Sequence, residues 1–233
     1  MKRFFACNLV IILLGSFLCN ASSHSMNHDT SAALKRVHVD CECHNSWING
    51  HITNFAIMEV RDGTSFGPVL SDAAVEVNGQ KLAFDEKSQA FRGDIGKVEQ
   101  WQEIPITIQT RDKRKVMGHV GVVFMVQFAD PKAMANVSSS VPLPVSWKYS
   151  EGSMHTVDLE IFSDEGEPVG VEVRGNHTTI DFDRLGIKFG IGSSVHLRVL
   201  PPWTSNFEFS GNLTRTSKAY FITSATLTVM LKN

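Results

Sequence analysis

Residues 73–85, Ala-Ala-Val-Glu-Val-Asn-Gly-Gln-Lys-Leu-Ala-Phe-Asp, constrain this chain more than any other stretch. Val75 and Val77 alternate with other residues before Asn78-Gly79, and Leu82 and Phe84 alternate after it. Asn-Gly accepts the positive φ values of a two-residue type I′ turn, so the stretch predicts a β-hairpin. Short alternating runs separated by Gly, Pro, Asn and Asp continue through most of the 233 residues. No amphipathic helical period with its caps competes with them. Alternation sends one face of each strand into a core and the other to water, which predicts an all-β protein.

The chain opens differently. Lys2 and Arg3 precede an apolar run over residues 4–18, and Ala21-Ser22-Ser23 follows. A basic start, an apolar stretch too short to span a membrane comfortably, and small residues at its end predict a secretory signal peptide over residues 1–21. The bulky Leu18 before Cys19 does not suit a lipid-attachment motif, so the mature protein is expected to be soluble and exported, in a periplasm or outside the cell. Residues 22–36 predict a flexible leader. Residues 37–128 read as a first β-sandwich, closed by a strand over 116–127. Residues 129–140, with Asp130-Pro131 and Ser138-Ser139-Ser140, read as a linker. Residues 141–233 read as a second sandwich of about seven strands. Its last strands are expected at 207–210 and 219–231, with Trp147 entering the core.

The second half resembles a fibronectin type III or related immunoglobulin-like domain. The resemblance is carried by Pro144-Val-Ser-Trp-Lys148, by Thr178-Thr-Ile-Asp-Phe182 with Leu185 after it, and by Ser194-Val-His-Leu-Arg-Val199. It implies an early-strand tryptophan packed under a late corner. Val195 stands near the place where such domains often carry a tyrosine. The first half resembles the same class, or small transthyretin-like sandwiches, through its Asn-Gly hairpin. The fold class expected is therefore two tandem immunoglobulin-like sandwiches, a class that serves mostly as recognition or spacing modules.

Chemistry narrows the function classes. A net charge of −2 provides no electrostatic footprint for nucleic acid. The sequence holds no nucleophile elbow, phosphate loop or His-Glu-x-x-His motif. Gly190-Ile191-Gly192 lacks the third glycine and the helix of a dinucleotide site, and reads as a turn. Asp158 and Glu160 fall on the outward face of an alternating strand. These features predict a non-catalytic protein with no cofactor. Asn136, Asn176 and Asn212 begin Asn-x-Ser/Thr sequons, surface acceptors in a eukaryotic secretory setting. The short signal and the few cysteines suit a bacterial exported protein better.

The leading expectation is recognition of a protein or glycan partner at the cell envelope or outside the cell, through exposed aromatics. Trp101 lies in the polar segment Glu99–Glu103, and Trp203 follows Pro201-Pro202. The alternative is a copper- or zinc-binding protein that uses His24, His28, His38, Cys41, Cys43 and His44. Cleavage after Ala21 would set His24 third in the mature chain, where amine, amides and imidazole make a square-planar copper site. Cys41 and Cys43 are the only cysteines beyond the signal region, but Cys-x-Cys is not the spacing of structural zinc sites. A second alternative is a structural spacer in an envelope assembly.

Overall fold

The computed structural model describes residues 36–123, 125–150, 156–163, 167–186, 190, 192–202 and 206–232. Residues 1–35, which include the expected signal peptide, nearly all of the expected leader, His24 and His28, lie outside the described residues, as does Trp203. Those described form an all-β structure of several sheets. Among them, no helix is long and apolar enough to cross a membrane.

The largest sheet runs in the order β13 (Val169–Arg174), β12 (Thr156–Phe162), β15 (Ser194–Leu200), β17 (Lys218–Lys232), β1 (Val37–Ile48), β2 (His51–Asp62), β6 (Ala90–Asp94) and β5 (Ala83–Asp85), with β10 (Asn136–Ser138) also paired to β17. A second sheet runs β16 (Phe207–Gly211), β8 (Lys115–Gly121), β7 (Glu103–Gln109), β3 (Ala74–Val77), β4 (Gln80–Lys81). A third runs β14 (His177–Ile180), β11 (Leu143–Tyr149), β9 (Val126–Asp130).

Strand β17 joins the two halves of the chain. It pairs in parallel with β1, from Asp40 opposite Lys218 to Ile48 opposite Thr226, and antiparallel with β15. The resulting sheet supports two hydrophobic cores. The first is built mainly from residues 37–122, including Val39, Met58, Phe91, Ile106 and Val120, with Ala219 and Phe221 from the start of β17. The second includes Trp147, Leu159, Ile180 and Leu197, with Ala225, Leu227, Val229 and Leu231 from the rest of β17.

A polar rung crosses the shared sheet between the cores. Asn45 on β1 stands opposite Asn54 on β2 and Thr223 on β17, and all three are buried. Asn45 donates from Nδ2 to Asn54 Oδ1 at 2.7 Å and accepts from Thr223 Oγ1 at 3.4 Å. Buried amides persist only where partnered, so this rung is satisfied from within.

Several expectations change at the level of pairing. The Asn78-Gly79 turn forms with φ of 53° and 74°, and Val77 pairs with Gln80. The returning strand then breaks at Leu82: β4 stays in the second sheet while β5 joins the largest one, so the hairpin turns a corner between layers. The run over 116–127 is two strands, β8 in the second sheet and β9 against β11 in the third. Residues 129–140 carry β10, which pairs with Met230, Leu231 and Lys232. Strand β16, expected to finish the second sandwich, pairs instead with β8. Alternation marks which face of a strand is apolar but not which strand it joins, and that is where these differences arise.

Candidate functional site

Strand β1 has two chemically different faces. Its odd-numbered residues enter the core side and its even-numbered residues lie on the other, as the period of two demands. Cys41 and Cys43 are therefore neighbours on the core side, both free thiols, fully buried, with Sγ atoms 3.8 Å apart. The hydrogen bond with Cys43, together with burial, pushes the Cys41 thiol well above its ordinary pKa.

His38 and His44 lie on the opposite face, so the pleat separates them from the cysteines. His38 is buried, with Nε2 3.2 Å from Asp40 Oδ2 and Nδ1 3.1 Å from Thr214 Oγ1. These contacts tie the 212–217 segment to the start of β1, where Val37 N also donates to Asn212 O. His44 stacks on Phe55, the residue opposite it on β2, at 4.5 Å and 3° between planes. Its Nε2 lies 3.1 Å from Glu42 Oε2. Burial lowers the His44 pKa, and Glu42 opposes that shift. Among the described residues, no three His, Cys, Asp or Glu side chains converge as a metal site. A single centre built from His38, Cys41, Cys43 and His44 is thus not what this strand presents.

Trp101 is 60 % exposed, in a turn where it adopts a φ of 62° and donates its backbone N–H to Val122 O. Its neighbours there are polar, including the Lys97–Glu99 ion pair. It stands on the surface, apart from the side chains of the cleft described next.

A different group of side chains forms a cleft. The β1–β2 hairpin, the start of β9 and the end of β11 enclose about 230 Å³ beside the polar rung. Trp47, Ile52, Met125 and Tyr149 supply its apolar lining. Gln127, Lys148 and the rung residue Asn45 add polar groups. The hairpin is held by its Asn49-Gly50 turn, with φ of 50° and 96°. Asn49 also bonds to β17: its Nδ2 donates to Thr228 Oγ1 at 3.0 Å, and its Oδ1 accepts from Thr228 N at 2.8 Å.

Aromatic packing stiffens the cleft from behind. Trp47 lies 6.0 Å from Phe128, and Phe128 lies 6.5 Å edge-on from Trp147. Trp147, wholly buried, donates from Nε1 to the Tyr149 hydroxyl at 3.0 Å, and that hydroxyl donates to Gly175 O. Burial raises the Tyr149 pKa, which keeps the phenol protonated for its bond to Gly175 O. The sequence reading passed over Trp47 and Tyr149. Trp47 continues the odd-numbered face of β1, and that was the available signal. Its placement beside β9 and β11 depends on pairing that the local pattern does not encode.

No protein-family model matches the chain, and no curated protein is significantly similar to it.

Proposed function

We propose that this chain is an exported, non-catalytic recognition module of two immunoglobulin-like sandwiches, and that it binds its partner at the cleft between them. The observation that carries this reading is the cleft itself: Trp47 packed against Phe128, Tyr149 hydrogen-bonded by the buried Trp147, and Ile52 at the rim 59 % exposed. Apolar walls with a few fixed polar groups are the composition of ligand sites, the polar groups setting orientation. At about 230 Å³ the cleft falls below the ~300–1,000 Å³ of pockets for whole drug-sized ligands, so it suits one ring-sized group. That group is a terminal sugar of a glycan or a single anchoring side chain of a protein. Large aromatic residues are the usual energetic anchors of such contacts.

The acidic residues that might suggest catalysis support the same reading. Asp158 is exposed on the outward face of β12, and Glu160 accepts hydrogen bonds from Arg198. Neither points into the cleft lining.

Pull-down after cross-linking in the native envelope, run beside a glycan-binding panel, tests the proposal. The wild-type chain is expected to retain a specific partner or glycan, and Trp47→Ala to lose it while keeping its strand signal in circular dichroism. Equal retention by a folded Trp47→Ala variant would sink the cleft as the site. No specific capture in either format would favour the spacer role.

A further inference from the structure

The register of the shared sheet places a methionine opposite one of the two thiols. Met58 on β2 stands directly opposite Cys41, on the same core-facing side. Such cross-strand neighbours have Cβ atoms ~4.5–5.5 Å apart, and methionine has three rotatable bonds with which to aim its thioether. On its other side Cys41 faces Ala219 of β17, and Cys43 stands opposite Ala56 of β2. Alanine thus flanks each cysteine on one side, while Phe221 of β17 stands opposite Cys43 on the other. The two cysteines, Met58 and the two alanines are at most 1 % exposed.

We propose that Cys41, Cys43 and Met58 form a binding site for monovalent copper. Two thiolates and a thioether are the soft ligand set that selects Cu(I). Sulfurs 3.8 Å apart, each at a metal–sulfur bond of ~2.3 Å, subtend about 110° at the ion, close to what a three-sulfur site needs. On binding, each thiol gives its proton to solvent and a sulfur–copper bond replaces each S–H bond. The copper keeps its oxidation state, so no electron acceptor is required. The third donor is neutral, which limits the buried centre to a single negative charge, an advantage where charge is costly. The histidines on the other face of β1 take no part, and the site does not depend on the recognition cleft.

The test is anaerobic titration of the reduced mature protein, lacking residues 1–21 and so Cys7 and Cys19, with Cu(I), added as its acetonitrile complex against a competing chelator. Copper per chain after gel filtration and the coordination shell from X-ray absorption are the readouts. One copper with a shell of three sulfurs is expected for the wild type, and the same for His24→Ala with His28→Ala. The paired substitutions Cys41→Ala and Cys43→Ala should abolish binding. Met58→Leu preserves core volume, so it decides the matter even if the cysteine variant does not fold. It should leave two sulfurs and weaken binding by at least about tenfold, the scale of a supporting contact at a metal site. The proposal is overturned if the wild type retains no copper, if nitrogen dominates the shell, or if Met58→Leu changes neither affinity nor sulfur count.

Discussion

The two hydrophobic cores share one sheet, yet they meet it on different terms. The first core takes only Ala219 and Phe221 from β17, while the second takes four residues of the same strand, Ala225 to Leu231. On β1 the division reverses: Val37 to Cys43 serve the first core, and only Trp47 reaches the second. The Asn45–Asn54–Thr223 rung lies where the two allegiances change. A tandem pair joined by a flexible linker could move as two bodies. Cores that share β1 and β17 are instead tied by the backbone hydrogen bonds of one sheet.

The strongest way to break this comparison is to damage one core and watch the other. Trp147→Ala empties the largest fully buried side chain of the second core and should cost ~3–5 kcal/mol. Ile106→Ala in the first should cost ~2–5 kcal/mol. Because β17 serves both cores, each variant is expected to shift one cooperative urea transition, seen alike by fluorescence and circular dichroism. Two separated transitions would show that the shared strand does not couple them.

The rung itself is the next target. Asn45→Ala leaves the Asn54 carbonyl without its 2.7 Å donor and should destabilise the protein by ~1–3 kcal/mol. Replacing both with valine removes donor and acceptor together and should recover most of that loss in a double-mutant cycle. If the double variant is as unstable as the sum of the singles, the rung is not the interacting pair described.

Smaller effects sharpen the picture. Gly79→Val forces a β-branched residue into a φ of 74° in the β3–β4 turn, at a cost of ~1–2 kcal/mol. Partner binding at the cleft and copper binding should survive it; losing either at unchanged fold would tie function to that turn. His44 supplies the smallest change. Its folded pKa lies below the ordinary 6.5, so the unfolded chain binds the proton more readily. Its contribution is complete above pH 6.5 and declines as the pH falls through that value toward the folded pKa. His44→Gln should flatten the stability profile in that window, as measured by chemical denaturation at successive pH values.

Much of the local structure was legible. The parity of β1 sets Cys41 and Cys43 on one face and His38 and His44 on the other, and that parity is visible in the sequence alone. The metal alternative took these four together with His24 and His28, and the pleat sets the four described ones on two faces of β1. The alternation of Val195, Leu197 and Val199 marked a strand whose inner residues are fully buried. What stayed hidden was partnership. Nothing local says that Cys41 lies beside Ala219, that β16 crosses to β8, or that Trp47 and Tyr149 line one cleft. These contacts join residues far apart in sequence, and many strands of similar polarity compete for each edge.

The central claim is that recognition occurs at the junction cleft. A photo-cross-linking amino acid placed at Ile52, on the rim, tests it most directly beside a control at Phe66. Both positions are exposed, Phe66 at 96 %, and the control lies in the loop beyond the far end of β2. About ten residues of strand, roughly 33 Å, separate the two ends. Irradiation in the native envelope should give a discrete cross-linked product from position 52 and none from position 66. A product from position 66 with none from position 52 would contradict the account.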